Sequence, residues 1–399
     1  MSLNLPRILH RSGAAVAAAL ALTLAACGGG GSSGTGTLQM SLTDAPACGY
    51  DSVNVTITKL SVNQSSTASI SDPAGWVDIP ITPHRVDLLK LQNGLLDTFG
   101  QTPLAPGKYT QMRLLLADNA GAAPGQIIPN SVVPHGGHET ALSTPSGQQT
   151  GLKMNVDLDI AADQMADFVV DFNACKSIVA AGASGRYLLK PVLSVTPNYI
   201  SGVKGTVDAS IAANANTAVL LEQPGSATQA PIVVKATAPD VAGNYLLGPV
   251  APGTYDVVVT SNGHATAVVT SVVVQTGLVT TIGSAITPPT SATGTIGGGV
   301  TTGVAPIDAA LAATQALSSG STIEVTSVPA DSVTGAYSFT LPVAAVSVAP
   351  YATGALTFSN DTAVPGKYTI AATSGGTTKL SNPLAMTSGA NLTASFIFP

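Results

Sequence analysis

The sequence predicts an all-β protein, three tandem β-sandwich domains standing behind an export signal and a flexible tether. Three observations carry this. Only 9% of the 399 residues are charged, while Gly (41) and Pro (27) abound, so long surface helices lack the Glu, Lys and Arg they are usually built from. Apolar residues recur at alternate positions in short runs, the period of a strand with one buried face. A single phrase, Pro-Gly-x-Tyr leading into such a run, occurs at 106–109, 252–255 and 365–368, each near the end of a domain-sized block. Pro presets φ for such a turn and Gly supplies φ > 0. The balance of 15 Lys+Arg against 21 Asp+Glu excludes a polybasic surface for nucleic acid.

Arg7, His10 and Arg11 precede an apolar run at 14–24. Eleven residues are too few to span a bilayer and suit a signal peptide. The run ends in Leu24-Ala25-Ala26-Cys27, which resembles the bacterial lipobox. The resemblance implies a lipoprotein signal peptide at 1–26 and lipidation of Cys27. It also implies an outer-membrane address, because Gly28 rather than Asp follows the Cys. Whether the periplasmic face or the cell surface is occupied stays open. Several acyl chains hold a protein on a membrane where one barely does. Residues 27–37 read as a Gly/Ser/Thr tether. A formal G-x-S-x-G match at 30–34 has neither the strand nor the helix that a nucleophile elbow needs. Cleavage leaves 13 Lys+Arg against 21 Asp+Glu, so attraction to anionic lipid is not the membrane contact.

With Cys27 assigned to lipid, Cys48 and Cys175 remain, an even pair in an exported chain. A disulfide is expected, worth at most ~4–5 kcal/mol for so long a loop. Two buried free thiols are the alternative.

In the block 38–198, Leu38, Met40 and Leu42 alternate into an Asp44-Ala45-Pro46 turn. Val53, Val55 and Ile57 alternate again. Then come Trp76-Val77-Asp78, Val86-Asp87-Leu88-Leu89, an Asn93-Gly94 turn, the Pro106-Gly107 turn, Met154 to Ile160 in alternation, Phe168 to Phe172, and Leu189-Lys190-Pro191. These phrases together resemble a domain of unknown function common in bacterial lipoproteins, which brings no activity with it.

The blocks 201–287 and 293–399 each open on Gly-Thr and a β-branched residue, Gly205-Thr206-Val207 and Gly294-Thr295-Ile296. Each continues through an Asp…Gly-x-Tyr turn and strand, Asp240 to Tyr245 and Asp331 to Tyr337, before its Pro-Gly turn. They resemble carboxypeptidase-regulatory-like modules, with an immunoglobulin-like or transthyretin-like sandwich also described as a carbohydrate-binding-like fold. In the last block, residues 343–362 read as a longer middle, and Pro288-Pro289-Thr290 as a short stiff linker. The Ala-rich stretch 306–317 suits a helix by propensity, but alignment with the module makes it a strand.

For chemistry, His135-Gly136-Gly137-His138-Glu139 is the most suggestive cluster. Two imidazoles and a carboxylate suit a divalent ion, but His135, His138 and Glu139 lack helical spacing and a nearby further ligand, so no metal is expected. Asp157, Asp159, Asp163, Asp167 and Asp171 do not form a calcium loop, and the first two fall on the solvated side of a strand. Tyr109, Tyr255 and Tyr368 are expected in cores. Tyr50, Tyr199 and Tyr351, with Trp76, are the candidates for an exposed sugar platform. No catalytic triad or nucleotide loop is placed in context. The expected role is therefore a non-catalytic envelope lipoprotein without cofactor, presenting its modules for binding or as a spacer. Its partners would be the membrane, through its lipid, and a glycan or envelope protein. The alternatives are glycan binding by the two last blocks, and a metal-dependent hydrolase at the 135–139 loop.

Overall fold

A computed structural model describes residues 34–399 apart from 45–48, 70, 72–73, 121–125, 145–149, 200, 215 and 227–228. The expected signal peptide, Cys27, most of the expected tether, the expected Ala45-Pro46 turn and Cys48 lie outside the described residues. The regular structure of the rest is almost wholly strand, with helical turns of three or four residues, and no described helix is long and apolar enough to cross a membrane.

The N-terminal block closes a four-stranded sheet over a larger one. In the first, Gly36–Asp44 lies between Met165–Phe172, parallel to it, and Asp97–Leu104, antiparallel. In the second, Tyr50–Asn63 is the long central strand, beside Gly107–Leu116 and Ser131–Pro134. The alternating residues read from the sequence, Leu38, Met40 and Leu42 facing Val53, Val55 and Leu158, are the buried core between them. The first strand starts at Gly36, inside the expected tether, because the Thr37 N–H already donates to the Gln164 carbonyl at 2.8 Å. Asp87 ends the short His84–Asp87 strand, where its carboxylate accepts from Leu89 N and caps one 3₁₀ turn.

The middle block pairs Asn244–Leu247, Gly202–Thr206 and Val279–Thr281 in a small sheet. Ile232–Thr237, Ala218–Gln223, Gly253–Thr260 and Ala267–Val274 form the large sheet facing it. The C-terminal block repeats this plan, with Thr293–Thr301 central in one sheet and Ala310–Ala316 in the other. The Ala-rich segment is thus a strand: Leu311 and Ala313 alternate inward, and Ala side chains let the sheet pack closely.

Two expectations change. Residues 343–362 do not elaborate their own block. Val346–Pro350 pairs parallel to Ala267–Val274, and Ser359–Asp361 follows antiparallel, so this excursion extends the middle block's large sheet. Pro288-Pro289-Thr290 is no free linker. The Ala265 N–H donates to the Pro289 carbonyl at 2.8 Å, and Thr290 bridges to His264.

The repeated turn also has a physical reason beyond the one its sequence suggests. The Tyr255 hydroxyl donates back to the Ala251 carbonyl at 2.9 Å, and the Tyr109 hydroxyl to Ala105 at 3.2 Å. Tyr109, Tyr255 and Tyr368 are all buried, as expected. Gly366 takes φ 60°, as a type II turn asks, but Gly253 has no positive φ. A Cβ at Gly253 would come within 3.1 Å of the Tyr255 ring, so glycine there makes room for the tyrosine.

Candidate functional site

The sequence-nominated loop comes apart in space. His135 to Glu139 joins Ser131–Pro134 to Thr140–Ser143. The His135 Nδ1 lies 2.8 Å from Asp51 Oδ1. That contact, with the Gly136 N–H, holds the Asp51 carboxyl below the usual carboxylate range. Glu139 turns the other way, to the Arg85 guanidinium and the Ser131 hydroxyl. Among the described residues no group of three or more His, Cys, Asp or Glu side chains is arranged to hold a metal ion.

The aspartate series also divides. Asp157 and Asp159 are exposed on Leu152–Ile160, and Asp157 pairs with Lys108 at 3.0 Å. Asp167 and Asp171, on Met165–Phe172, are half-buried instead: Asp167 accepts from Asn198 and Gln39, and Asp171 meets Lys235 of the middle block. The tyrosines expected on the surface are half-buried as well. Tyr50 stacks edge-on against Tyr187 at 6.2 Å, and burial pushes its hydroxyl up to about 12. Tyr351 packs on the middle core, and the Trp76 indole donates to Ser69 beneath the Arg113 guanidinium. Tyr50 packs on the N-terminal core and Tyr351 on the middle core, so these rings form no common platform.

The polar groups that do converge lie where the three blocks meet. Glu222, at the end of Ala218–Gln223, is fully buried on the face turned toward the C-terminal block, and it accepts from the Glu324 N–H at 2.9 Å. Glu324, on Thr322–Pro329, reaches Lys176 of the N-terminal block at 3.3 Å. Asp256 lies directly across the sheet from Glu222. Among the described residues, Glu222 Oε1 and Asp256 Oδ2 meet no hydrogen-bond partner. Burial pushes the Glu222 carboxyl well above the usual carboxylate range, and the Glu324 and Asp256 charges add to this, against the Glu324 N–H and Lys176. Burial raises Asp256 too, opposed by the Ser271 N–H.

Further clamps surround this cluster. The Lys190 ammonium donates to the Ile307 carbonyl at 2.9 Å and lies 3.4 Å from Asp308. The Gly182 N–H donates to Asp331 at 2.7 Å. The Asn93-Gly94 turn docks on the middle block, where Asn93 and Thr237 exchange hydrogen bonds of 3.1 and 2.9 Å. Beside the junction runs an open cleft of about 360 Å³. Asn216, Asn262, His264, Thr326, Ser338 and Thr340 are among its lining residues, and none of that lining is Asp, Glu, Lys or Arg.

The junction residues were not singled out from the sequence. Their signal was present: Glu222, Glu324, Asp256 and Lys235 each interrupt an apolar β-run in a chain that is sparing with charge. A strand buried on both faces has no solvated side for such a group.

Comparison with known proteins bears on the first block. No curated protein matches the chain. Among solved structures it is similar to the Bacillus anthracis TIE protein, at 10% identity and a TM-score of 0.17 over 91% of this chain and 50% of that one. The chain thus spans half the length of that protein. It is also similar to the Corynebacterium diphtheriae major pilin SpaA, at 10% identity and TM-score 0.18 over 91% and 99% of the two chains. For BcpA, the major pilin subunit of Bacillus cereus, the values are 11%, 0.15, 90% and 99%. The family described as Domain of unknown function (DUF4382) matches residues 35–191, and the N-terminal block accordingly contains a DUF4382 domain.

Proposed function

We propose that the protein is a non-catalytic lipoprotein of the cell envelope, anchored through lipid on Cys27 in the outer membrane, that holds its β-sandwich blocks as one body for binding or spacing. One observation carries this reading. Lysines drawn in from solvent tie block to block: Lys176 with Glu324, Lys190 with the exposed Asp308, and Lys235 with Asp171. The Leu24-Ala25-Ala26-Cys27 sequence supports the anchor. The strand plan after residue 201, with its two Asp…Gly-x-Tyr turns, supports carboxypeptidase-regulatory-like modules.

A disulfide between Cys48 and Cys175 is part of the proposal. An even pair of cysteines in a chain read as exported supports it. Asp44 sits in register with Phe172 and accepts from the Ala174 N–H at 2.9 Å, so the chain segments leading to both cysteines start side by side.

The test of the anchor is labelling of growing cells with radioactive palmitate. Wild-type chain should carry label and sediment with outer membrane, and Cys27→Ala should lose the label and fail to sediment with it. An unlabelled wild-type chain free in the medium would sink the reading. Glycan binding is the second reading, favoured by the uncharged hydroxyl- and amide-lined cleft at the junction. Retention on immobilised polysaccharide that survives in wild type and is lost in Asn262→Ala would support it.

A further inference from the structure

We infer that residues 343–362 are a strand donor: the C-terminal block lends them to finish the middle sandwich, and the edge of Ala267–Val274 is a binding site for an extended segment of that chemistry. The pairing is specific in register, with Ala267, Val268 and Val269 beside Ser347, Val348 and Ala349. Backbone bonds fix it, from Ser347 N to the Thr266 carbonyl and from Tyr351 N to the Thr270 carbonyl, both 2.9 Å. Both sides of the excursion are used. Val346 and Val348 join the C-terminal core, while Tyr351, Leu356 and Phe358 pack on the middle core. Ala349 is fully buried, which sets a small residue at that step.

The excursion also ties the two sheets of the middle sandwich together along its open side. The Tyr351 hydroxyl donates to the Thr281 carbonyl at 3.3 Å, and the Leu356 N–H to the Ser284 hydroxyl at 3.0 Å. The lending block, by contrast, is closed beneath it. The Tyr368 hydroxyl donates to the Pro342 carbonyl at 2.7 Å, so the chain leaves and returns at one spot. Gln315 holds the returning chain at the Val364 and Lys367 carbonyls. Without the excursion the C-terminal block gives up Val346 and Val348 but keeps its own strand pairing, while the middle block loses its edge strand. This is strand addition carried out within one chain: main-chain bonds supply affinity and alternate side chains supply specificity.

The experiment uses two full-chain variants, Ala349→Asp and replacement of residues 344–361 by a Gly-Ser loop, read by hydrogen exchange. Protection should fall roughly tenfold or more across 253–281 and persist across 310–316 and 367–374. A synthetic peptide of residues 343–362, added in excess, should restore protection in the loop variant with one-to-one binding. Unchanged protection of 253–281 in the loop variant would overturn the inference. So would loss of protection throughout 293–399, or failure of the peptide to bind.

Discussion

Glu222 faces three charged groups from three elements: Glu324 on the C-terminal block, Asp256 on the neighbouring strand and Lys176 on the N-terminal block. Its carboxyl binds a proton more tightly when folded than when unfolded. Stability from this group is therefore fully present below the ordinary glutamate range and declines as pH rises from about 4.5 toward the elevated folded value. Urea midpoints measured between about pH 5 and pH 9 should fall with pH in the wild type. Glu222→Gln keeps an acceptor for the Glu324 N–H without the charge. It should flatten that decline and be the more stable protein at the alkaline end. A Gln variant as pH-dependent as the wild type would mean that Glu222 does not set the profile. This residue was legible as a charge in an apolar run; its partners were not, because Glu324 lies 102 residues further on and Lys176 belongs to another block behind it, and nothing local specifies the pairing.

At the scale of elements, the sequence spoke most clearly where one periodicity dominates. Leu38 to Leu42, Val53 to Ile57 and Met154 to Ile160 alternate and are strands, since one face must reach a core. The three Pro-Gly-x-Tyr turns were legible too, although their glycines serve different ends. At Gly366, φ is 60° and an added Cβ would fall 2.2 Å from the Met386 carbonyl oxygen, whereas at Gly253 it would meet the Tyr255 ring; Gly263, outside these turns in the Asn262-Gly263 turn, has φ 75° with open space around it. Gly263→Ala should cost about 1 kcal/mol, the backbone penalty alone. Gly366→Ala should cost clearly more, about 3 kcal/mol or above, because the chain must also move aside. Chemical denaturation of the two variants, compared at equal slope, measures the difference. Equal costs would show that the Met386 contact relaxes freely.

For the whole molecule, the tandem reading was right about strands and silent about contacts between blocks. Alternation reports which face is buried, never against what, and this chain buries the outer face of the middle sheet against its neighbour: Val258 and Val268 belong to the C-terminal core. The Lys235–Asp171 pair is the sharpest probe of such contacts, with the lysine side chain 5% and the aspartate 16% exposed. Removing one partner strands the other in a poor solvent, so Lys235→Met alone should cost about 3 kcal/mol. The double variant Lys235→Met with Asp171→Leu should recover most of that, because an apolar pair of similar volume suits the same space. Recovery measured in one denaturation transition would report a cooperative body, whereas no recovery would assign the loss to the lysine's own packing.

Because the Val346–Pro350 strand comes so late in the chain, the order of synthesis matters. The middle sheet waits with a bare edge until Asp361 has emerged from the ribosome. A vectorial process must therefore shelter that edge for the whole interval, and mistakes in maturation should concentrate there, in half-made chains that recruit each other's late strand.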